Sequence, residues 1–149
     1  MLEELREYLN LSTMSLATCG RTGQPHNAPV YFVSDESVLL YFFSKPKSQH
    51  ILDIGDNNLV GVSIYPECFD WEEIHGVQMH GVVKKSEPSQ QKKVMMSLYQ
   101  DKFPFVSKLG VSLLENQLFV FYPDWVRIID NRVRFGYKKE FSLKSNQDL

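Results

Sequence analysis

The stretch VLLYFFSKPKSQHILDIGDNN, residues 38–58, runs from apolar and aromatic side chains into serines, lysines, Gln49 and His50. It then re-enters a short apolar run that Gly55-Asp56-Asn57-Asn58 closes. The length and aromatic content of VLLYFF fit a β-strand better than a helix. Pro46 suits a first helical position, and Ile51, Leu52 and Ile54 mark a short helix over residues 46–55. The stretch therefore reads as a strand-to-helix junction. A helix start offers unpaired N–H groups and a positive dipole end, which suits an anion such as a phosphate. Ser44 and Ser48 add hydroxyls, Lys45, Lys47 and a protonated His50 add charge, and Gln49 adds an amide. The competing reading is that a serine caps the helix and the lysines are solvated.

Outward from this junction the chain reads as a series of short strands. Leu2, Leu5, Tyr8 and Leu9 recur at helical spacing, so residues 1–10 form an N-terminal helix. STMSLATC, residues 12–19, suits a strand, GRTGQP a turn, and residues 26–33 a second strand. After the junction, residues 59–65 and 74–84 read as two further strands separated by the loop PECFDWEE. On the second of these, Gly76, Gln78, His80 and Val82 share one face and Val77, Met79 and Val83 the other. Ser86 can cap a helix whose first turn holds Pro88, which begins a helical segment over residues 87–110. Residues 118–122 and 125–129 read as closing strands, with Asn131 turning the chain into residues 133–137. The polar SLKSNQDL end is expected to fray. The sum is a single domain over residues 1–149, mainly β, with barrel strands over 12–85 and closing strands over 116–141. Six to seven antiparallel strands closing on themselves would remove exposed sheet edges.

The 149 residues, 43% hydrophobic and 13% aromatic, supply a full core without staples. The formal net charge of −2 argues against general nucleic-acid binding. Cys19 and Cys68 form no C-x-x-C motif and read as free thiols. The acidic start MLEELREYLN is unlike a signal peptide, and no apolar run approaches the ~20 residues of a membrane helix. A cytoplasmic protein is expected. His75 and His80 point to opposite faces and no Cys/His spacing suits zinc, so no metal is expected. Trp71 and Trp125 read as core or interface anchors, and no histidine can be placed beside Cys19.

The order S-x-A-T-x-x-x-x-G-x-P-H, A-P-V, LYFFS-x-x-x-S-x-H, N-N-x-V and G-V-Q-x-x-G over Ser12 to Lys85 resembles the split-barrel flavoproteins typified by pyridoxamine phosphate oxidase. Over nearly the whole chain it is similar to the YhbP-like branch, through Ile74 to Gly81, Phe103 to Val106 and Asp130 to Lys139. The resemblance implies an FMN-binding split barrel and a homodimer with the ligand between subunits. The phosphate would be held by Phe43, Ser44, Ser48, Gln49 and His50, with Lys47 in support. The ring would lie along Asn27, Ala28, Pro29 and Val30 towards Tyr31. Gln78 or His80 would approach the ring edge, or Gln78 would serve barrel hydrogen bonds, and Lys138 and Lys139 would reach the neighbouring subunit's ligand or remain a solvated basic tail. The family pattern Y-T then S-R-K reads here F-S then S-Q-H, so two permanent cations are replaced by Gln49 and His50.

The expected activity is that of an FMN-dependent oxidoreductase on an unidentified small molecule. Hydride chemistry would belong to the cofactor, which accords with a sequence that shows no acid/base pair. The alternatives are a non-enzymatic split barrel that binds flavin or haem, and a dimeric scaffold that has lost its ligand.

Overall fold

The computed structural model describes residues 2–109 and 115–143. An opening helix, α1 (Leu2–Leu9), lays Leu5, Tyr8 and Leu9 on the core. The strands that follow are β1 (Thr13–Cys19), β2 (Pro25–Tyr31), β3 (Val33–Ser34) and β4 (Leu40–Ser44). After them come α2 (Gln49–Asp56), β5 (Leu59–Ile64), a single 3-10 turn at Trp71–Glu73, and β6 (His75–Lys85). The chain continues through α3 (Ser89–Lys102), α4 (Val106–Leu109), β7 (Gln117–Asp130) and β8 (Lys138–Ser142). The strands form one antiparallel sheet of order β2-β1-β5-β6-β7-β4-β3, with β8 added to β7. Seven strands on the path plus β8 exceed the six to seven expected, because β3 is a two-residue strand and β8 lies beyond residue 137.

The expected full closure is replaced by a split. The path ends at β2 on one side and β3 on the other, so among the described residues no ladder joins the two ends. What joins them is the chain itself, since β2 and β3 are separated only by Phe32, which is fully buried. The second strand, read as continuous to residue 33, therefore breaks there. Carbonyls at such a crossing lose ladder partners and must be satisfied otherwise. The Tyr99 hydroxyl donates to Tyr31 O at 2.5 Å, and Lys102 Nζ donates to Phe32 O at 3.0 Å and Leu9 O at 3.2 Å. Burial pushes the Lys102 ammonium down to about 8. Helix α3 thus seals the split with polar side chains rather than only with apolar ones.

All five residues of β4 are buried, which explains a run without alternation. Leu40 and Phe42 enter the barrel core with Leu5, Leu16, Phe121 and Val126. Tyr41 and Phe43 face the other way, into a second core with Met95, Tyr99, Phe103 and Val106 from α3 and α4. This strand begins at Leu40 rather than residue 38, because Val38 sits in a turn with φ 66°.

Several other boundaries move. The short helix starts at Gln49 rather than Pro46, which lies in a turn closed by Ser48 N donating to Lys45 O at 3.1 Å. Ser86 does not cap α3; Pro88 holds that place and the Ser86 hydroxyl bonds Gln91. The helical segment ends as two pieces, α3 and α4, and residue 110 lies outside the described residues. The two closing strands are one, β7, which absorbs Asp124 as a bulge opposite the His80/Gly81 step. Gly81 permits this, because a Cβ there would stand 2.0 Å from Tyr122 O. Residues 133–137 form a turn and the last strand follows it at Lys138. Of the polar end, Ser142 is in β8 and residues 144–149 lie outside the described residues. The tryptophans are not core residues: Trp71 is exposed beside Phe135, and Trp125 stacks on the exposed His80 at 4.7 Å.

Candidate functional site

The strand-to-helix junction is real, and its side chains fall into two groups. Ser44 closes β4 on its inward side and is buried, with Oγ 2.7 Å from His50 Nε2. Burial pushes the His50 imidazole below its ordinary range, against the pull of the Asp53 charge. Gln49 donates Nε2 to Asp53 Oδ1 at 2.9 Å. Ser44, Gln49 and His50 thus have partners within the chain, Ser44 buried, His50 half-buried and Gln49 exposed. The Phe43 ring lies in the second core, 5.1 Å from the Tyr99 ring.

The other group remains available. Ser48 is the N-cap of α2, yet its side chain makes no capping bond. Its carbonyl accepts Ile51 N and Leu52 N, both at 3.0 Å, so the helix starts on backbone bonds alone. The N–H groups of Gln49 and His50 have no partner among the described residues, as expected of a helix start. Lys45 and Lys47 are exposed on the turn before it.

Beneath this helix lies a group that the spacing of residues did not disclose. Asp53 is buried on the inner side of α2, where Oδ2 accepts from Thr18 Oγ1 at 2.8 Å and pairs with His26 Nδ1 at 2.7 Å. Burial works to raise its pKa, but hydrogen bonds from Gln49, Thr18 and His26 together hold the carboxyl below its usual range. A carboxylate held ionised accepts only, so His26 Nδ1 carries the proton. The approach depends on Gly20, whose Cβ, if present, would lie 2.7 Å from Asp53 Oδ1. Asp53 therefore clasps α2 to the end of β1 and the start of β2. An acid between Ile51 and Ile54, on the stripe that must face the core, was the available signal, since a buried carboxylate needs donors.

On β2, His26, Ala28 and Val30 face inward while Asn27, Pro29 and Tyr31 face out. Pro29 is tolerated because β2 ends the sheet path. Outside, Asn27 and Pro29 line a groove of about 270 Å3 with Thr13, Ser15, Ser63 and Tyr65. Asn27 Oδ1 accepts from Ser15 Oγ at 2.6 Å. Register carries one row across the sheet from Pro29 through Ser15 and Ser63 to Gln78 and Arg127. Gln78 therefore shares the groove's face. Lys138 does not approach the junction within one chain: it pairs with Ile129 whereas Ser44 pairs with Gln117, at opposite ends of β7. His75 turns to Tyr8 and Glu7, away from His80. Among the described residues no three His, Cys, Asp or Glu side chains converge as metal ligands, and no helix is long and apolar enough to cross a membrane.

Comparison with known proteins gives this geometry a family. A conserved hypothetical protein of Mycobacterium tuberculosis shares the fold at 17% identity, covering 98% of this chain and 93% of that one, with a TM-score of 0.78. General Stress Protein 26 of Bacillus anthracis aligns at 21% identity over 95% and 97% of the two chains, with a TM-score of 0.69. The haem storage protein HutZ of Vibrio cholerae aligns at 17% identity over 81% and 88%, with a TM-score of 0.70. No curated protein sequence matches the chain. The model of the pyridoxamine 5'-phosphate oxidase family matches residues 1–130, so with its split antiparallel barrel the chain belongs to that family.

Proposed function

We propose that this protein binds FMN and works as a cytoplasmic, homodimeric flavin-dependent oxidoreductase on a small molecule, within the YhbP-like branch of its family. The observation that carries the reading is the unspent start of α2. Ser48 stands at the N-cap with its hydroxyl free of capping, beside two unpaired N–H groups and two exposed lysines. That donor set fits a phosphate, with Ser48, the N–H groups of Gln49 and His50, and Lys47 holding it. Ser44, Gln49 and His50 shape the cradle through their internal bonds. The outer groove of β2 lies along the line of Asn27 to Pro29 and supports placement of the ring there, with Gln78 on the same face. Lys138 would act on the second subunit's ligand. The flavin would supply hydride chemistry, and the chain supplies binding, orientation and a pocket edge.

Protein freed of small molecules, mixed with FMN and passed through gel filtration, should elute as a yellow dimer. Colourless protein after exposure to millimolar FMN would overturn the proposal.

A second reading is haem binding, which HutZ is named for. It is favoured by His80, an exposed imidazole whose Nδ1 lies 2.6 Å from Asp124 Oδ1. That approach is close but not aligned as a hydrogen bond, and Asp124 Oδ1 is otherwise unpartnered among the described residues. A carboxylate beside one ring nitrogen is the usual setting of a histidine whose other nitrogen binds metal. A Soret shift on adding haemin, lost in His80→Ala, would select this reading over the first.

A further inference from the structure

The two cations that the family pattern places after Ser48 are missing, and Gln49 and His50 in their places are bonded within the chain. Gln49 gives its amide to Asp53, and His50 is turned to Ser44 in a site where burial disfavours its charge. The same carboxylate that draws Gln49 inward also holds His26. His26 therefore stands within one shared carboxylate of the helix residue that begins α2. Its ring is neither core nor free: the side chain is 39% exposed, and Nε2 has no partner among the described residues.

We infer that His26, reaching from β2, is a further cation that meets the ligand's phosphate beside Lys47, with Asp53 as the residue that positions it. The inference rests on the FMN reading and adds a residue to it. Nδ1–H is committed to Asp53, so Nε2 of the neutral ring can only accept. A phosphate oxygen also only accepts. The two are compatible when Nε2 is protonated, which places an imidazolium between two anions, Asp53 on one nitrogen and the phosphate on the other. The contact forms and breaks no bond to carbon, oxygen or phosphorus. Without that proton His26 brings no charge to set against the carboxylate of Asp53 beneath an incoming anion. The charged or titratable groups on the elements packed against His26's strand are Asp53, His50 and Asp56 of α2, Cys19 of β1 and Tyr41 of β4, with Arg21 beyond β1 paired to Asp56 at 3.0 Å. Arg21 is thereby occupied by an aspartate of its own.

The test is a set of titrations with FMN and with riboflavin, which lacks the phosphate, at pH 6 and pH 8, on wild type and His26→Gln. Glutamine keeps an amide donor for Asp53, so the clasp and the melting temperature should hold. Wild type should bind FMN at least 10-fold more tightly at pH 6 than His26→Gln does, with riboflavin binding equal in the two. The wild-type advantage should shrink at pH 8; the titration of the phosphate itself is common to both proteins and cancels. Gly20→Ala, which displaces Asp53 by crowding Oδ1, should lose the same FMN-specific increment. Equal FMN affinity in wild type and His26→Gln at pH 6, or a loss shared equally by riboflavin, would overturn the role of His26 while leaving the FMN reading intact. Failure of wild type to bind FMN at either pH would overturn both.

Discussion

Replacing Ser48 by alanine separates a structural serine from a binding one, because the two roles predict opposite readouts. A serine whose hydroxyl caps a helix contributes typically ~1 kcal/mol, which in a domain of this size is roughly 2–4 °C of melting temperature. Here the hydroxyl makes no capping bond, and α2 starts on Ile51 N and Leu52 N donating to the Ser48 carbonyl. Ser48→Ala should therefore change stability by less than ~0.5 kcal/mol, under about 2 °C. A hydrogen bond to a charged group is worth ~1.5–3 kcal/mol, so loss of a hydroxyl that holds the phosphate should weaken FMN roughly 10- to 100-fold. Thermal melting and quenching of FMN fluorescence on one purified sample measure both. Ser44→Ala is the counterpart, since its buried hydroxyl pairs with His50 and its loss should cost ~0.5–1.5 kcal/mol of stability. A Ser48→Ala protein that melts several degrees lower and binds FMN as wild type does would refute the reasoning and restore the cap.

Other consequences concern the frame. Gly81→Ala should destabilise by more than ~3 kcal/mol, since its Cβ would meet backbone at 2.0 Å, whereas Gly61→Ala, meeting Ala17 Cβ at 3.7 Å, should stay within ~0.5 kcal/mol; urea unfolding compares them. The folded-state pKa of His50 is depressed below 6.5, so its share of stability is full above that value and is lost as the pH falls through the folded-state value. Denaturation midpoints at pH 7.5 and 5.5 should drop more for wild type than for His50→Gln. Lys102 is depressed from 10.5 to about 8, so between those values the unfolded chain binds more protons and stability should rise with pH, a rise that Lys102→Met abolishes.

The fold was legible where local chemistry and packing agree. The aromatic run of Leu40 to Phe43 and the alternation of Val77, Met79 and Val83 place two strands because the residues on each face of a strand meet one environment. Legibility failed where two distant segments share a task. Pro123 and Asp124 look like a break, yet Gly81 on the facing strand has room for the Tyr122 carbonyl and β7 runs through. The break at Phe32 is invisible locally, because what makes it tolerable is Tyr99 and Lys102 some seventy residues on. At the site, the junction and its donors could be read from residues 44–50, but which donors are free depends on Asp53, and Asp53 depends on Thr18, His26 and the bare Gly20. Spacing in one helix reports none of those long-range bonds.

FMN binding of the kind proposed requires a phosphate held at the start of α2. Calorimetric titration of the wild-type protein with FMN and then with riboflavin tests it most directly. A cradle that recognises the phosphate predicts that FMN binds at least 10-fold more tightly than riboflavin, and that inorganic phosphate competes with FMN. Equal affinity for the two, or binding of neither, would contradict it.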